Sequence, residues 1–262
     1  MTEWDAAAYN KQSSLQKWLA DEHLASLHLG GTERVLDIGC GDGKVTAEIA
    51  DRLPHGSVLG VDPSTAMIAF ARQHFGAPAR ANADFDVADA TRLTYSNEFD
   101  LIVSFNALHW VRDQSAALRG IRAALRRSGS AFLEFVPQGP RMSLEDVIEE
   151  TRKSARWASY FGSYVAPYVH CTPEEYRQMA NACKLSVERI GVEDKSWDFK
   201  TREAFVSFAR ATFVEWTRVI PEGERIDFVN EVLDNYRHVG ADTPEDANIF
   251  KFYQMAVALR AA

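Results

Sequence analysis

The sequence is 262 residues long, and its 46% hydrophobic and 25% charged residues are ordinary values for a folded globular chain. They exclude a disordered, collagen-like or low-complexity protein. Because the formal net charge is −8, we expect no general affinity for nucleic acid or for an anionic membrane surface. The length suits one large domain, or a core with an added cap.

The N-terminal sequence MTEWDAAAYNKQSS has neither the basic nor the apolar stretch of a secretory signal. No part of the chain approaches the roughly 18 consecutive apolar residues of a membrane-spanning helix. The three cysteines, Cys40, Cys171 and Cys183, are odd in number and lack metal-type spacing, which is typical of a reducing compartment. We therefore expect a cytoplasmic protein without a metal site.

The first half of the chain alternates short apolar runs with amphipathic segments. Residues 13–29 repeat apolar positions at helical spacing. Strands are then predicted at residues 34–38, 58–61, 85–87, 101–105 and 131–136, with helices around 45–53, 67–71 and 118–125. This alternation predicts a doubly wound, mostly parallel α/β sheet with helices on both faces.

After Pro137 the pattern changes, and aromatic residues become more frequent. Residues 143–183 and 201–238 are predicted to be helical, with a sheet strand near 185–199. The last segment is ambiguous by periodicity; we predict a seventh strand there because its start is β-branched and aromatic and the sheet has an edge to fill. The predicted organisation is capping helices in 1–30, a core in 31–136, a helical cap in 137–247 and a final strand in 248–262.

The first predicted strand runs into a glycine-rich turn, Asp37-Ile38-Gly39-Cys40-Gly41-Asp42-Gly43. Glycines there permit a tight strand-to-helix turn and close approach of a ligand to the backbone. A dinucleotide fingerprint would have glycine at position 44, where this chain has Lys44. Alone, such a turn also fits a loop that binds nothing.

Four acids accompany this turn: Asp37 and Asp42 at the glycines, Asp62 at the end of the second strand, and Asp89 after the third. They would repel a pyrophosphate and attract a cation. Asp62 could accept hydrogen bonds from two ribose hydroxyls. A ligand with a ribose, an exocyclic amine and positive charge fits this set, as S-adenosylmethionine does. Three of these acids also have an explanation without a ligand. Asp42 is equally compatible with a solvated loop residue, and Asp37 and Asp62 are compatible with a charge at a helix start and a cap at a strand end.

The segments VLDIGCGDG at 35–43, GVDPS at 60–64, DA at 89–90 and FDLIVS at 99–104 resemble, in order and spacing, those of class I S-adenosylmethionine-dependent methyltransferases. The resemblance spans roughly residues 34–136. It implies a Rossmann-like methyltransferase fold, S-adenosylmethionine as cofactor and S-adenosylhomocysteine as product. The cofactor site it implies consists of Asp37, Gly39, Cys40, Gly41, Gly43, Asp62 at the ribose, Pro63 and Met67 flanking adenine, Asp89 and Ala90 at the adenine amine, and Asn106 near the methionine end.

Residues 104–111, SFNALHWV, are similar to a segment of trans-aconitate and juvenile hormone acid methyltransferases, which methylate small carboxylic acids. In that group an N-terminal helix closes over the cofactor; here this helix would carry Tyr9, Gln12 and Gln16. The stretch FVEWT at 213–217, with Trp216, also resembles part of the trans-aconitate enzyme's cap. Beyond residue 137 the resemblance is loose, so it does not identify the substrate of this chain.

The chemistry of the acceptor limits the roles of the remaining candidates. A carboxylate attacks a methyl group without losing a proton, whereas an alcohol or phenol needs a general base, for which His109 is the candidate. His109 could instead orient a substrate carboxylate, contact the cofactor or shape the turn. Further substrate-binding candidates are Trp110, Arg156, His170 and Trp216, each of which also suits ordinary packing or a solvated surface.

We therefore predict a small-molecule methyltransferase, acting on an oxygen atom of a carboxylate or hydroxyl. The aromatic bias of the second half favours an acceptor with apolar or ring character over a small polyacid such as aconitate. We expect a monomer or homodimer. Two alternatives stay open at this point: a nicotinamide-dependent oxidoreductase, against which Lys44 and the loop acids count, and a cofactor-binding protein that has lost catalysis.

Overall fold

The computed structural model describes residues 14–262. The strands are β1 Arg34–Ile38, β2 Ser57–Asp62, β3 Ala83–Val87, β4 Phe99–Phe105, β5 Leu125–Phe135, β6 Leu185–Asp198 and β7 Ile249–Ala261. The helices are α1 Ser14–Ser26, α2 Lys44–Asp51, α3 Thr65–Phe75, α4 Gln114–Ala124, α5 Leu144–Arg152, α6 Ala158–Phe161, α7 Pro173–Ala182, α8 Arg202–Thr212, α9 Val214–Thr217 and α10 Glu222–Gly240. Short 3₁₀ turns lie at Ala90–Arg92, Leu108–Trp110 and Pro244–Asn248.

The seven strands form one sheet in the order β3-β2-β1-β4-β5-β7-β6. The first five are parallel, and β7 runs antiparallel between β5 and β6. The predicted mostly parallel, doubly wound sheet and its final strand are therefore confirmed. The chain reverses direction across the sheet between β1 and β4, and the carboxyl ends of strands beside such a switch point are where α/β sheets leave a crevice.

Several helix starts follow from local sequence. The side chains of Ser64 and Asp113 accept hydrogen bonds from the backbone N–H groups of Met67 and Ala116, at the starts of α3 and α4. The helices α5 and α7 begin with reciprocal capping boxes, Ser143 with Asp146 and Thr172 with Glu175. Each such cap satisfies backbone donors that the first helical turn leaves unpaired.

Three apolar clusters hold the molecule together. One sheet face packs against α4 and α7, and the opposite face packs against α1, α2 and α3. The third cluster is the core of the cap; it joins α5, α6, α8, α9 and α10 with the N-terminal helix α1 and contains Trp157, Trp216, Phe205 and Phe228, each at most 1% exposed. A buried side chain of this size stabilises the fold by about 1.5–3 kcal/mol. The aromatic surplus of the second half therefore mainly fills this core.

The strand β5 is longer than the predicted segment 131–136, because it already begins at Leu125, directly after α4. Its first part contains Arg126, Arg127 and Ser128, whose exposed polar side chains do not give the apolar run of a buried strand. No helix within residues 14–262 is both long enough and apolar enough to cross a membrane.

Candidate active site

A cavity of about 360 Å³ lies at the carboxyl ends of β1, β2, β3 and β4, beneath the cap. Its lining includes most of the predicted cofactor residues: Gly39, Gly41, Asp62, Pro63, Met67, Asp89, Ala90 and Asn106. Trp110 lines it as well. The parallel arrangement explains this convergence, because loops that follow neighbouring parallel strands leave the sheet at the same edge.

The glycine loop is folded tightly against β2 and the loop after β4. The Gly39 N–H donates to the carbonyl of Val61 at 2.7 Å, and Gly39 has a φ of 77°. A Cβ atom at this position would lie 2.1 Å from the Cβ of Ala107, a distance that atoms do not tolerate. The backbone therefore reaches the cavity at a place where no side chain fits.

Asp62 holds the loop and also faces the cavity. Its carboxylate accepts hydrogen bonds from the backbone N–H of Gly41 at 3.1 Å and of Ser64 at 2.8 Å. A carboxylate has about four acceptor positions. Asp62 also lines the cavity, where its carboxylate would meet paired hydroxyls of a ligand.

Asp37 lies behind the loop and does not line the cavity. Its side chain is 1% exposed and accepts a hydrogen bond from the Thr46 hydroxyl at 2.6 Å. Burial, assisted by the nearby Asp62 charge, raises the pKa of Asp37 to about 7. Asp42 is also outside the lining; it accepts a bond from the Lys44 N–H at 3.2 Å, and burial raises its pKa. These two acids hold the loop in shape.

Two more predicted cofactor residues also lie beside the cavity and outside its lining. Cys40 is buried, which raises the pKa of its thiol well above the usual value, so the side chain is a neutral packing group. Gly43 has a φ of 85°, and a Cβ there would lie 2.7 Å from the Ala71 side chain. Both residues keep α2 and α3 close to the glycine loop.

Asp89 and Asn106 occupy the ends of β3 and β4. The Asp89 carboxylate caps the following 3₁₀ turn by accepting from the N–H and the hydroxyl of Thr91, each at 2.8 Å. Asn106 has a φ of 54°, and its N–H donates to the carbonyl of Glu134 at 2.7 Å. Its side-chain Oδ1 accepts a bond from Gln254 Nε2 at 3.1 Å.

His109 does not line the cavity. It is 4% exposed, and among the described residues its Nδ1 has no hydrogen-bond partner. Its carbonyl accepts a bond from the Val169 N–H at 2.8 Å, and its ring lies 6.2 Å from that of His170. Burial, with a smaller contribution from His170, lowers the pKa of His109 to about 3. The ring is therefore a neutral group that joins the turn after β4 to the cap.

The other substrate-binding candidates are spread over the cap. Trp216 is buried beside Trp110, with ring centroids 5.8 Å apart, and its Nε1–H donates to Glu149. His170 packs against the ring of Tyr168 outside the lining. Arg156 lies on the outer surface, where it forms ion pairs; its partners are Asp227 at 2.9 Å and Glu231 at 3.1 Å. Tyr9 and Gln12 lie outside the described residues, and Gln16 falls within α1, where its side chain is not described.

The lining also contains polar and charged residues that the sequence did not single out: Ser64, Thr91, Arg112 and Glu215. Ser64 and Thr91 follow the acids at the strand ends, so their position beside a ligand could have been read from the sequence. Arg112 and the cap residues Pro167 and Glu215 reach the cavity through tertiary packing. Within residues 14–262, no group of three His, Cys, Asp or Glu side chains is arranged to hold a metal.

The cavity fits the methyl donor that the sequence suggests. It combines a backbone cradle at Gly39, free of side chains, with the carboxylate of Asp62 and the apolar side chains of Met67, Ala90 and Val111. A nucleoside needs an apolar slot for its base and acceptors for its hydroxyls. The carboxylates of Asp62 and Asp89 also favour a cation over a pyrophosphate.

Comparison with known proteins agrees with this chemistry. Residues 35–129 match the family described as "Methyltransferase domain". The chain is 41% identical over 212 residues to trans-aconitate 2-methyltransferase of Deinococcus radiodurans, covering 78% of this chain and 77% of that protein. It is 29% identical over 206 residues to juvenile hormone acid O-methyltransferase of Bombyx mori, covering 75% and 72%.

The fold is also similar to a solved structure of Haemonchus contortus phosphoethanolamine N-methyltransferase 2, with a TM-score of 0.63 and 18% identity, covering 98% of this chain and 57% of that one. The sheet order, the site at its switch point and these relatives agree with one another and set aside the oxidoreductase alternative. This chain belongs to the class I S-adenosylmethionine-dependent methyltransferases and is an enzyme that uses S-adenosylmethionine.

Proposed function

We propose that this enzyme methylates a carboxylate oxygen of a small acid whose body is apolar or aromatic, giving a methyl ester. One observation carries the proposal. Within the described part of the chain, the ionisable side chains that line the cavity are Asp62, Asp89, Arg112 and Glu215, with no imidazole, amine, thiol or phenol among them. A hydroxyl acceptor must lose a proton as it attacks, whereas a carboxylate is already ionised.

His109 was the candidate base for a hydroxyl acceptor, and its surroundings do not favour that role. The ring is buried outside the lining, and its lowered pKa makes it a weak proton acceptor. Glu215 does line the cavity, but its carboxylate already pairs with Arg218 at 3.0 Å. The two aspartates, Asp62 at the end of β2 and Asp89 just after β3, lie at the proposed nucleoside end of the cavity. A carboxylate acceptor, which needs no general base, is compatible with these lining side chains.

The methyl donor, when bound, supplies a methyl group already activated by a sulfonium. We infer that Asp62 accepts the ribose hydroxyls and that Asp89 and Ala90 meet the adenine amine, between Pro63 and Met67. Gly39, Gly41 and Asn106 would hold the methionine end. Asp37, Cys40 and Gly43 would act from behind, by fixing the loop. The work left to the protein is alignment and exclusion of water.

The acceptor side of the proposal rests on the remaining lining. Phe105, Trp110 and Pro167 offer apolar surface, and the Trp110 ring is supported by the buried Trp216. Arg112 lines the same cavity, and no described carboxylate pairs with it, so its guanidinium is available to an anionic acceptor. The printed names of two relatives, for trans-aconitate and for juvenile hormone acid, refer to carboxylic acids.

The test is transfer of a labelled methyl group from S-adenosylmethionine to a panel of aromatic and aliphatic monocarboxylic acids, polyacids, phenols and alcohols. We expect product from apolar monocarboxylic acids, and we expect mild alkali to release the label as methanol, because esters are hydrolysed under conditions that leave ethers intact. Alkali-stable product from phenols or alcohols, with none from acids, would refute the proposal. The variant His109→Phe provides a second check: turnover with acids should fall less than about tenfold, whereas loss of a general base costs about 10²–10⁴.

A further inference from the structure

The side chain of Gln254 reaches the active site from a distant part of the chain. Gln254 lies on β7, is 3% exposed and donates from its Nε2 to the Oδ1 of Asn106 at 3.1 Å, across 148 residues of sequence. Asn106 lines the cavity at the carboxyl end of β4. The antiparallel pairing of β7 with β5, in which Met255 lies opposite Phe135, brings Gln254 to this edge of the sheet.

The backbone of Asn106 is fixed independently of its side chain. Its φ of 54° lies in the left-handed region, which asparagine adopts more readily than most residues. Its N–H is bound to the carbonyl of Glu134 at 2.7 Å. The direction in which the side chain leaves the backbone is therefore set, and rotation of the amide decides which of its atoms a ligand meets.

An asparagine amide carries an acceptor oxygen on one side and a donor NH₂ group on the other. Here the Oδ1 is occupied by Gln254, and no described residue accepts a hydrogen bond from the Nδ2. We propose that Gln254 is a positioning residue, which fixes the amide of Asn106 so that its NH₂ group faces the cavity and donates to a carboxylate there.

Two carboxylates could occupy that position. One belongs to the amino-acid end of the methyl donor, and the other belongs to the acid acceptor, in which case the inference rests on the proposed function. Either carboxylate needs a hydrogen-bond donor from Asn106. If the Asn106 amide were turned the other way, its oxygen would face the negatively charged carboxylate. Gln254 therefore determines whether Asn106 attracts or repels the ligand.

The experiment reverses the hydrogen bond. Gln254→Glu replaces the donor with a carboxyl group that, in its ionised form, only accepts from Asn106, so the amide must then turn its NH₂ group away from the cavity. Because burial favours the neutral form, which can still donate, the constants are measured from pH 7 to pH 9. Gln254→Met removes the bond in a side chain of similar length, and Gln178→Glu makes the same chemical change at an exposed position on α7. Calorimetry gives the Kd for S-adenosylhomocysteine, steady-state kinetics gives KM and kcat for an acid acceptor, and thermal melting checks the fold.

We expect Gln254→Glu to raise one of the two constants, Kd or KM, by about tenfold or more, the effect of one charge-assisted hydrogen bond. This rise should be larger than the rise that Gln254→Met causes in the same constant. The kcat of Gln254→Glu should change by a smaller factor than that constant. All constants of Gln178→Glu should equal those of the wild type. A raised Kd identifies the donor's carboxylate, and a raised KM alone identifies the acceptor's.

Equal constants for the Glu and Met variants, or wild-type constants in both, would overturn the proposal. If Gln254→Glu does not fold, Asn106→Asp decides, because it keeps the acceptor for Gln254 and places oxygen where the donor stood. Asn106→Asp must then raise Kd or KM by about tenfold or more, and unchanged constants would overturn the proposal. If the wild type methylates no acid, the proposed function fails, and the Kd for S-adenosylhomocysteine alone decides the role of Gln254.

Discussion

Replacing His109 by a residue that cannot titrate should change how stability depends on pH. The folded protein holds this ring neutral, with its pKa lowered from 6.5 to about 3, chiefly by burial. The unfolded chain binds the proton below pH 6.5, and the folded chain does not. His109 therefore costs no stability above pH 6.5 and destabilises the fold progressively as the pH falls from 6.5 towards 3.

The size of this effect follows from the pKa shift. At 1.36 kcal/mol for each pH unit, lowering the pH from 7.5 to 5.0 removes about 2 kcal/mol through His109. Asp37 acts in the opposite direction, because its pKa is raised from 3.8 to about 7. Its contribution is fully present below pH 3.8 and is lost as the pH rises towards 7, so it favours the fold at pH 5.0 by up to about 3 kcal/mol relative to pH 7.5.

Because the two effects oppose each other, the wild-type curve alone does not isolate His109. The informative quantity is the difference in unfolding free energy between His109→Phe and the wild type, measured by urea denaturation at both pH values. It should shift by about 2 kcal/mol in favour of the variant at pH 5.0, or roughly 4–8 °C in Tm. His109→Gln should give the same shift. An unchanged difference would show that this ring is not held neutral, and the structural role assigned to it would be wrong.

Three further predictions concern the cavity. Asp62→Ala should weaken S-adenosylmethionine binding by about 1.5–3 kcal/mol for each hydrogen bond lost; unchanged calorimetric affinity would contradict the ribose assignment. Gly39→Ala should abolish cofactor binding, because its Cβ would meet Ala107 at 2.1 Å. Gly162→Ala, at a positive φ outside the lining and with nothing within 4 Å of its Cβ, should show only the backbone strain of about 1–2 kcal/mol and leave the calorimetric affinity unchanged. Arg112→Leu should raise the KM for acid acceptors at least about tenfold while Arg119→Leu, on the outside of α4, leaves it unchanged; equal KM values would remove Arg112 from the acceptor site.

The part of the cavity that we propose for the cofactor could be predicted from sequence, because its residues lie at or just after the ends of strands. The glycine turn after β1, Asp62 at the end of β2 and Asp89 just after β3 are local features, and parallel pairing brings them to one edge of the sheet. The resemblance to class I methyltransferases rests on these same short segments. Of the residues it implied, Asp37, Cys40 and Gly43 lie behind the lining, because alternation along β1 and the turn geometry direct them away from the cavity.

The acceptor half could not be predicted in the same way. The sequence suggested that the aromatic residues of the second half surround the acceptor, yet Trp157, Trp216 and Phe228 mainly pack against one another in the cap core. Arg156 was a substrate-binding candidate, but two acids on α10, brought beside it by folding, already pair with it. Burial and ion pairing depend on neighbours far along the chain, and periodicity does not report them.

The sequence by itself determined the alternation of strands and helices, the glycine turn and the acids at the strand ends, because each depends on residues only a few positions apart. The tertiary structure decided what those elements enclose. It buried His109 away from the cavity, brought Arg112 and Glu215 into the lining, and paired Gln254 with Asn106 across 148 residues. The physical reason is that hydrogen bonding, exposure and charge pairing at the acceptor side arise between distant segments, and only the packing of the cap on the sheet sets their distances.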